Sequence, residues 1–88
     1  MSLAQARALE LLAALIEKAG EIPPANDYIP VNTQCVTENL WRDCCYRGAI
    51  STSDKPDAKR MAFTRAAERL VAVGRVGKRE PWVWIREP

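Results

Sequence analysis

Eighty-eight residues, 48% hydrophobic and 27% charged, make one folded domain and exclude a disordered chain. A chain this short buries only about 60–65% of the surface its unfolded form exposes, so its stability is modest. No apolar run reaches the ~18 residues of a membrane span, and the N-terminus lacks the basic start, apolar core and cleavage site of a secretory signal. A cytoplasmic protein with no membrane partner is the expectation. The net charge of +2 is unevenly placed: residues 1–54 carry four basic groups against seven acidic ones, and residues 55–88 carry nine against four. That asymmetry points to a polyanionic partner at the basic end, with a solvated helix face as the plainer alternative.

Residues 4–18 read as a first helix. Leu9, Leu12, Ala13 and Ile16 recur at three- and four-residue steps, Leu11 and Leu15 widen the stripe, and alanine and leucine are strong helix formers. Gly20 stops it, with Pro23 and Pro24 close behind. Residues 20–33 read as loop, holding three prolines and two asparagines with no helical period. Gln34, Cys35 and Val36 suit a very short strand. A second helix is expected over residues 37–47, with Thr37 as N-cap, Glu38 in the first turn where the helix dipole favours a carboxylate, and Gly48 at the end. Leu40, Trp41, Cys44 and Cys45 share one face of it, which is assigned to the core.

Ser51, Thr52, Ser53 and Asp54 form a cluster of capping residues, and Pro56 suits a first helical turn because its missing N–H has no partner there. A third helix follows over residues 56–73. At about 100° per residue, Ala62, Phe63, Ala66, Leu70 and Val73 fall on one side, and Arg60, Thr64, Arg65 and Glu68 on the other. Gly74 is the expected left-handed stop. Arg75, Val76 and Gly77 then lead into a polar turn at Lys78, Arg79, Glu80 and Pro81, and Trp82–Ile85 is a strand by aromatic and β-branched content. The result is a β-hairpin over residues 75–85. The expected fold is therefore α+β: a winged helix-turn-helix of three helices and a hairpin wing, extendable to a small three-stranded sheet, in a single domain over residues 1–88. Beginning almost inside a helix and stopping just after a strand, the chain reads as an excised domain.

Catalysis has little to stand on. The sequence contains no histidine, so no Ser-His or Cys-His nucleophile pair can form. Residues 74–77 lack the length and the Lys-Ser/Thr ending of a phosphate loop. Asp54 and Asp57 sit where carboxylates cap a helix start. The three cysteines, Cys35, Cys44 and Cys45, are odd in number and lack zinc spacing, so they read as small buried thiols. No catalytic residue, metal or cofactor is expected.

DNA binding has a geometry behind it. In helix-turn-helix folds the recognition helix enters the major groove, and residues near its N-terminal end touch base edges. Here that end offers Lys55, Lys59, Arg60, Thr64 and Arg65, while Lys78 and Arg79 stand at the expected wing tip. Lysine and arginine neutralise phosphates, and arginine also contacts guanine bidentately. Each has a plainer role to set beside this. Lys59 leans to the core side of the helix and can snorkel, Arg65 can pair with Glu68 or Glu38, and Arg69 reads as a solvated helix residue. Trp82 and Trp84 alternate with Val83 and Ile85, so one pair faces the core; packing is the main role for the tryptophans, with base stacking as the other.

The segments Leu40-Trp41-Arg42-Asp43-Cys44-Cys45-Tyr46-Arg47-Gly48, Ser53-Asp54-Lys55-Pro56-Asp57-Ala58-Lys59-Arg60 and Ala62-Phe63-Thr64-Arg65-Ala66 occur in this order, followed by a closing hairpin from Gly74 to Trp84. Together with Pro23, Pro24, Ala25, Ile29 and Pro30 upstream, they resemble the C-terminal region of RepA-type plasmid and phage replication ATPases, which are RecA-like hexameric helicase relatives. The resemblance covers about residues 20–86. It implies a DNA-binding tail for a helicase-like motor, the RecA-like ATPase domain being a partner in the same natural chain. Nucleotide binding and hydrolysis belong to that motor and do not carry over to these residues.

The sequence thus points to a DNA-binding winged helix of a mobile-element replication protein, with duplex favoured over single strand. The alternatives are a winged helix that docks a protein partner and a small stand-alone transcriptional regulator. A regulator would use a homodimer surface, which the first helix could supply through Leu9, Leu11, Leu12, Leu15 and Ile16.

Overall fold

A computed structural model describes residues 2–48 and 55–86. The first helix, α1, spans Leu3–Ala19 and begins with a reciprocal cap. Ser2 Oγ accepts from the Gln5 N–H at 3.1 Å, and Gln5 Oε1 accepts from the Ser2 N–H at 3.4 Å, so two otherwise unpaired donors are satisfied. Ala8 and Leu12 are fully buried, with Leu9, Leu11, Leu15 and Ile16 packed around them; Ala13, expected on the same stripe, is exposed. The leucine stripe thus packs against the domain's own core, fully at Leu12 and in part at Leu9, Leu11, Leu15 and Ile16.

Residues 21–35 cross to the short strand β1, Val36–Thr37, which lies two residues later than the strand expected at Gln34. Glu21 and Cys35 exchange backbone hydrogen bonds at 2.9 and 2.8 Å and close this segment into a loop. Within it, Asn26 Oδ1 accepts from the N–H groups of Tyr28 and Ile29, a local turn that fixes where both side chains leave the backbone. Helix α2, Glu38–Arg47, starts as expected on Thr37, whose Oγ1 accepts from the Leu40 N–H at 3.3 Å. Trp41 and Cys45 are buried on its inner face, Cys44 is half-buried, and Leu40 lies at the edge and is exposed.

Helix α3 spans Pro56–Ala72, with its proline in the first turn. The expected capping cluster at residues 51–54 lies outside the described residues. Phe63, Ala66, Ala67 and Leu70 are buried, while Val73, one position past the helix, is exposed. Gly74 has φ 79°, which an L side chain adopts only with strain. Its N–H donates to the Val71 carbonyl and the Arg75 N–H to the Leu70 carbonyl, so the last carbonyls of α3 are satisfied while the chain reverses.

Strands β2, Val76–Arg79, and β3, Trp82–Ile85, form an antiparallel hairpin, and β1 pairs with β3 to complete a three-stranded sheet in the order β1-β3-β2. Three helices and this sheet, in the order α1-β1-α2-α3-β2-β3, give the winged helix-turn-helix arrangement. Arg79 pairs with Trp82, so the turn is only Glu80 and Pro81, joined by a cis peptide bond. Lys78 and Arg79 lie on the strand and not at the wing tip: ladder pairing extends β2 past the point where charge alone would place the turn.

Both faces of the sheet are covered. Val36, Val76 and Val83 join Ala8, Leu12, Trp41, Phe63 and Leu70 in the main core. There the Trp41 and Phe63 rings meet edge to face at 5.0 Å, and Trp41 Nε1–H donates to the Ala8 carbonyl at 3.0 Å. On the other face Trp84 packs with Ile29 and Cys35, and Trp82 lies against them. Strand alternation thus sends the valine side of β3 to the helices and the tryptophan side to the 21–35 loop.

Candidate nucleic-acid interface

Helix α3 is anchored by its buried side, which leaves a polar side outward. Arg60, Met61, Thr64, Arg65, Glu68 and Arg69 are all exposed, as the helical period dictates. Arg60 pairs with Asp57 at 3.5 Å, but both groups are largely in water, 67% and 89% exposed, so the pair is weak and leaves the guanidinium available. No ion pair among the described residues includes Arg65: of its expected partners, Glu38 is taken by Lys78, and Glu68 is not paired with it. Lys55 is exposed just ahead of the helix, and Lys59 is half-buried, in keeping with its lean toward the core side. Met61, 48% exposed, adds an apolar group to the outer face that the charge pattern did not single out.

The two cations of the wing have separate surroundings. Lys78 shares the inner face with Val76, and its Nζ lies 2.7 Å from a Glu38 oxygen and 3.8 Å from one of Glu80. The side chains are only 35% and 27% exposed for Lys78 and Glu38, and their hydrogen bond raises the ammonium's pKa above the usual lysine range. Lys78 is therefore a neutralised group that ties the wing to α2, and the backbone agrees: the Glu38 N–H donates to the Pro81 carbonyl at 2.9 Å.

Arg79 shares the outer face with Gly77. Its guanidinium carbon stands 3.8 Å from the centre of the Tyr28 ring. A cation–π contact orders the arginine without cancelling its charge. Neither Glu38 nor Tyr28 was among the expected site residues; the Glu38–Lys78 pair is carried only by tertiary contact, and Tyr28 sits in a proline-rich stretch with no period to read.

Between α3 and the wing lies a cleft of about 310 Å³, floored by Trp41, Phe63 and Val71 and edged by Thr64, Glu68 and Lys78. Its apolar floor and mixed-charge rim are unlike the exposed arginine face beside it. The buried thiols stand apart from both. Burial pushes the Cys45 thiol up to about 12, and the Cys35 thiol is raised by the same cause, so neither is a ready thiolate near neutral pH.

A scan against protein-family models, a search of curated proteins and a search of solved structures each find no match to this chain. No helix among the described residues is long and apolar enough to cross a membrane.

Proposed function

We propose that the chain is a duplex-DNA-binding winged-helix module, a binding unit and not an enzyme, with α3 as its recognition helix. The observation that carries this reading is the outward face of α3. Arg60, Thr64 and Arg65 stand in successive turns, exposed and flanked by Lys55, on a helix whose opposite side is locked into the core. The major groove admits an α-helix, guanine accepts a bidentate arginine, and Met61 suits a thymine methyl. Arg79 adds a cation from the wing, whereas Lys78 is already neutralised.

Resemblance to RepA-type ATPases supports placing the module in a mobile-element replication protein, with a RecA-like motor as its partner in the same natural chain. Three unbridged cysteines fit a cytoplasmic setting. The cleft between α3 and the wing favours a second reading, in which the same side docks a protein partner through an apolar side chain and a basic group facing Glu68.

Titration of a labelled duplex at several salt concentrations decides between them. With about four phosphates neutralised, log K falls against log salt with a slope near −3.6. Arg60→Ala with Arg65→Ala weakens binding by about 10- to 100-fold, leaving the melting temperature unchanged because both side chains are exposed. Failure to bind any duplex at about 50 mM salt overturns the DNA reading and leaves the cleft as the site.

A further inference from the structure

The geometry points to Tyr28 as a positioning residue that holds Arg79 for the minor groove of A·T-rich DNA, an inference that rests on the DNA-binding proposal above. Arg79 is the last residue of β2, directly before the two-residue turn that ends the hairpin. Its guanidinium carbon lies over the Tyr28 ring, 3.8 Å from the ring centre. Tyr28 is 63% exposed, so burial does not account for an aromatic ring at this place.

The backbone that carries the ring is nevertheless fixed. The Tyr28 N–H donates to Asn26 Oδ1 at 2.8 Å, Asn26 Nδ2–H donates to the Pro24 carbonyl at 3.0 Å, and the next residue, Ile29, is buried against Cys35 and Trp84. Two segments far apart in sequence therefore converge to hold one cation, and the segment between α1 and β1 becomes part of the wing.

Three consequences follow from elementary physics. The arginine's charge is not balanced by an ion pair among the described residues, whereas that of Lys78 is. The ring covers part of the guanidinium, so less solvent has to be removed when DNA arrives. The side chain also has fewer rotamers to lose, which lowers the entropic cost of binding. An ordered, charged, planar guanidinium at a wing end suits the narrow minor groove of A-tracts, where the negative potential is strongest and arginine is drawn in. Glu80, the acidic residue next in sequence to Arg79, has its carboxylate 3.8 Å from Lys78 on the other face.

The experiment compares two duplexes of equal length, one with A-tracts and one rich in G·C, by fluorescence anisotropy at fixed salt. The unaltered protein binds the A-tract duplex about five- to tenfold tighter. Arg79→Gln removes that preference while binding through α3 persists. Tyr28→Leu reduces the preference by about threefold, and Tyr28→Phe keeps it, because the ring and not the hydroxyl makes the contact. In the Tyr28→Leu, Arg79→Gln double variant the two losses do not add. The inference is overturned if the unaltered protein shows no preference, if either single variant keeps it in full, or if Tyr28→Phe loses as much as Tyr28→Leu. Equal binding to both duplexes sinks this inference alone, whereas binding to neither sinks the DNA proposal with it.

Discussion

On the side of the hairpin turned to the helices, Val76, Val83 and Ile85 enter or adjoin the main core, and Lys78 ends between two carboxylates. On the side turned away, Trp84 packs with Ile29 and Cys35, Gly77 lies under its indole, and Arg79 ends on a tyrosine ring. Neighbouring basic residues of one strand thus meet opposite fates. An ion pair cancels the charge and uses it to hold elements together, while a π face orders the charge and leaves it available to a partner. The side of the sheet on which a basic residue falls decides whether it meets carboxylates or an aromatic ring.

The largest test of this contrast removes the outer layer. Trp84→Ala is expected to cost about 3–5 kcal/mol in chemical denaturation, since Trp84 is the largest member of its cluster. A loss under about 1 kcal/mol would show that the outer packing contributes little and that the sheet depends on its helix side alone.

Alkali probes both sides together, because Cys45 lies in the inner core and Cys35 in the outer cluster. Folding raises the Cys45 pKa from 9.0 to about 12, so above pH 9 the unfolded chain releases a proton that the folded chain retains. Stability is therefore whole below pH 9 and falls as pH rises toward 12, by at most about 4 kcal/mol at 1.36 kcal/mol per unit. Cys45→Ala should flatten most of that fall, and Cys35→Ala a smaller part.

Gly77→Ala should cost about 1–3 kcal/mol, because a β-carbon there runs into the Trp84 ring. Combined with Trp84→Ala, much of the added cost should vanish, a coupling measurable as a double-mutant cycle. The smallest effect belongs to the inner ion pair. Glu38→Gln should lower stability by no more than about 1 kcal/mol, given the solvent screening of a partly exposed pair. On the DNA-binding proposal it also releases Lys78, so affinity should rise and the salt slope steepen by about one unit. An unchanged slope would mean that Lys78 cannot reach a phosphate even when free.

The helices and the hairpin were legible because their signals are local. Thr37 caps, Gly74 turns left-handed and Pro56 opens a helix for reasons contained within a few residues. Helix-wheel reasoning overreached at the margins, placing Ala13 and Val73 on the apolar stripes and Leu40 on a core face although each of the three is exposed. The wing tip was misplaced because charge resembles a turn, whereas ladder bonds carried β2 through Arg79. The outward face of α3 followed directly from period 3.6. The fates of Lys78 and Arg79 did not, since Glu38 and Tyr28 reach them only across the fold. Residues 20–33 looked empty for a similar reason: prolines and asparagines erase any period, and Ile29 becomes a core residue only when the sheet supplies Trp84 and Cys35.

The hydrogen bond from the Glu38 N–H to the Pro81 carbonyl joins the first turn of α2 to the tip of the hairpin. With the Lys78–Glu38 pair beside it, the hairpin has two fastenings to the helix that precedes α3. The span between α3 and the wing is thereby set as in a caliper, with fixed jaws. On the DNA-binding proposal, a duplex gripped at both points must match that opening or bend to meet it, so the stiffness of the DNA contributes to the energetic scale of the fit.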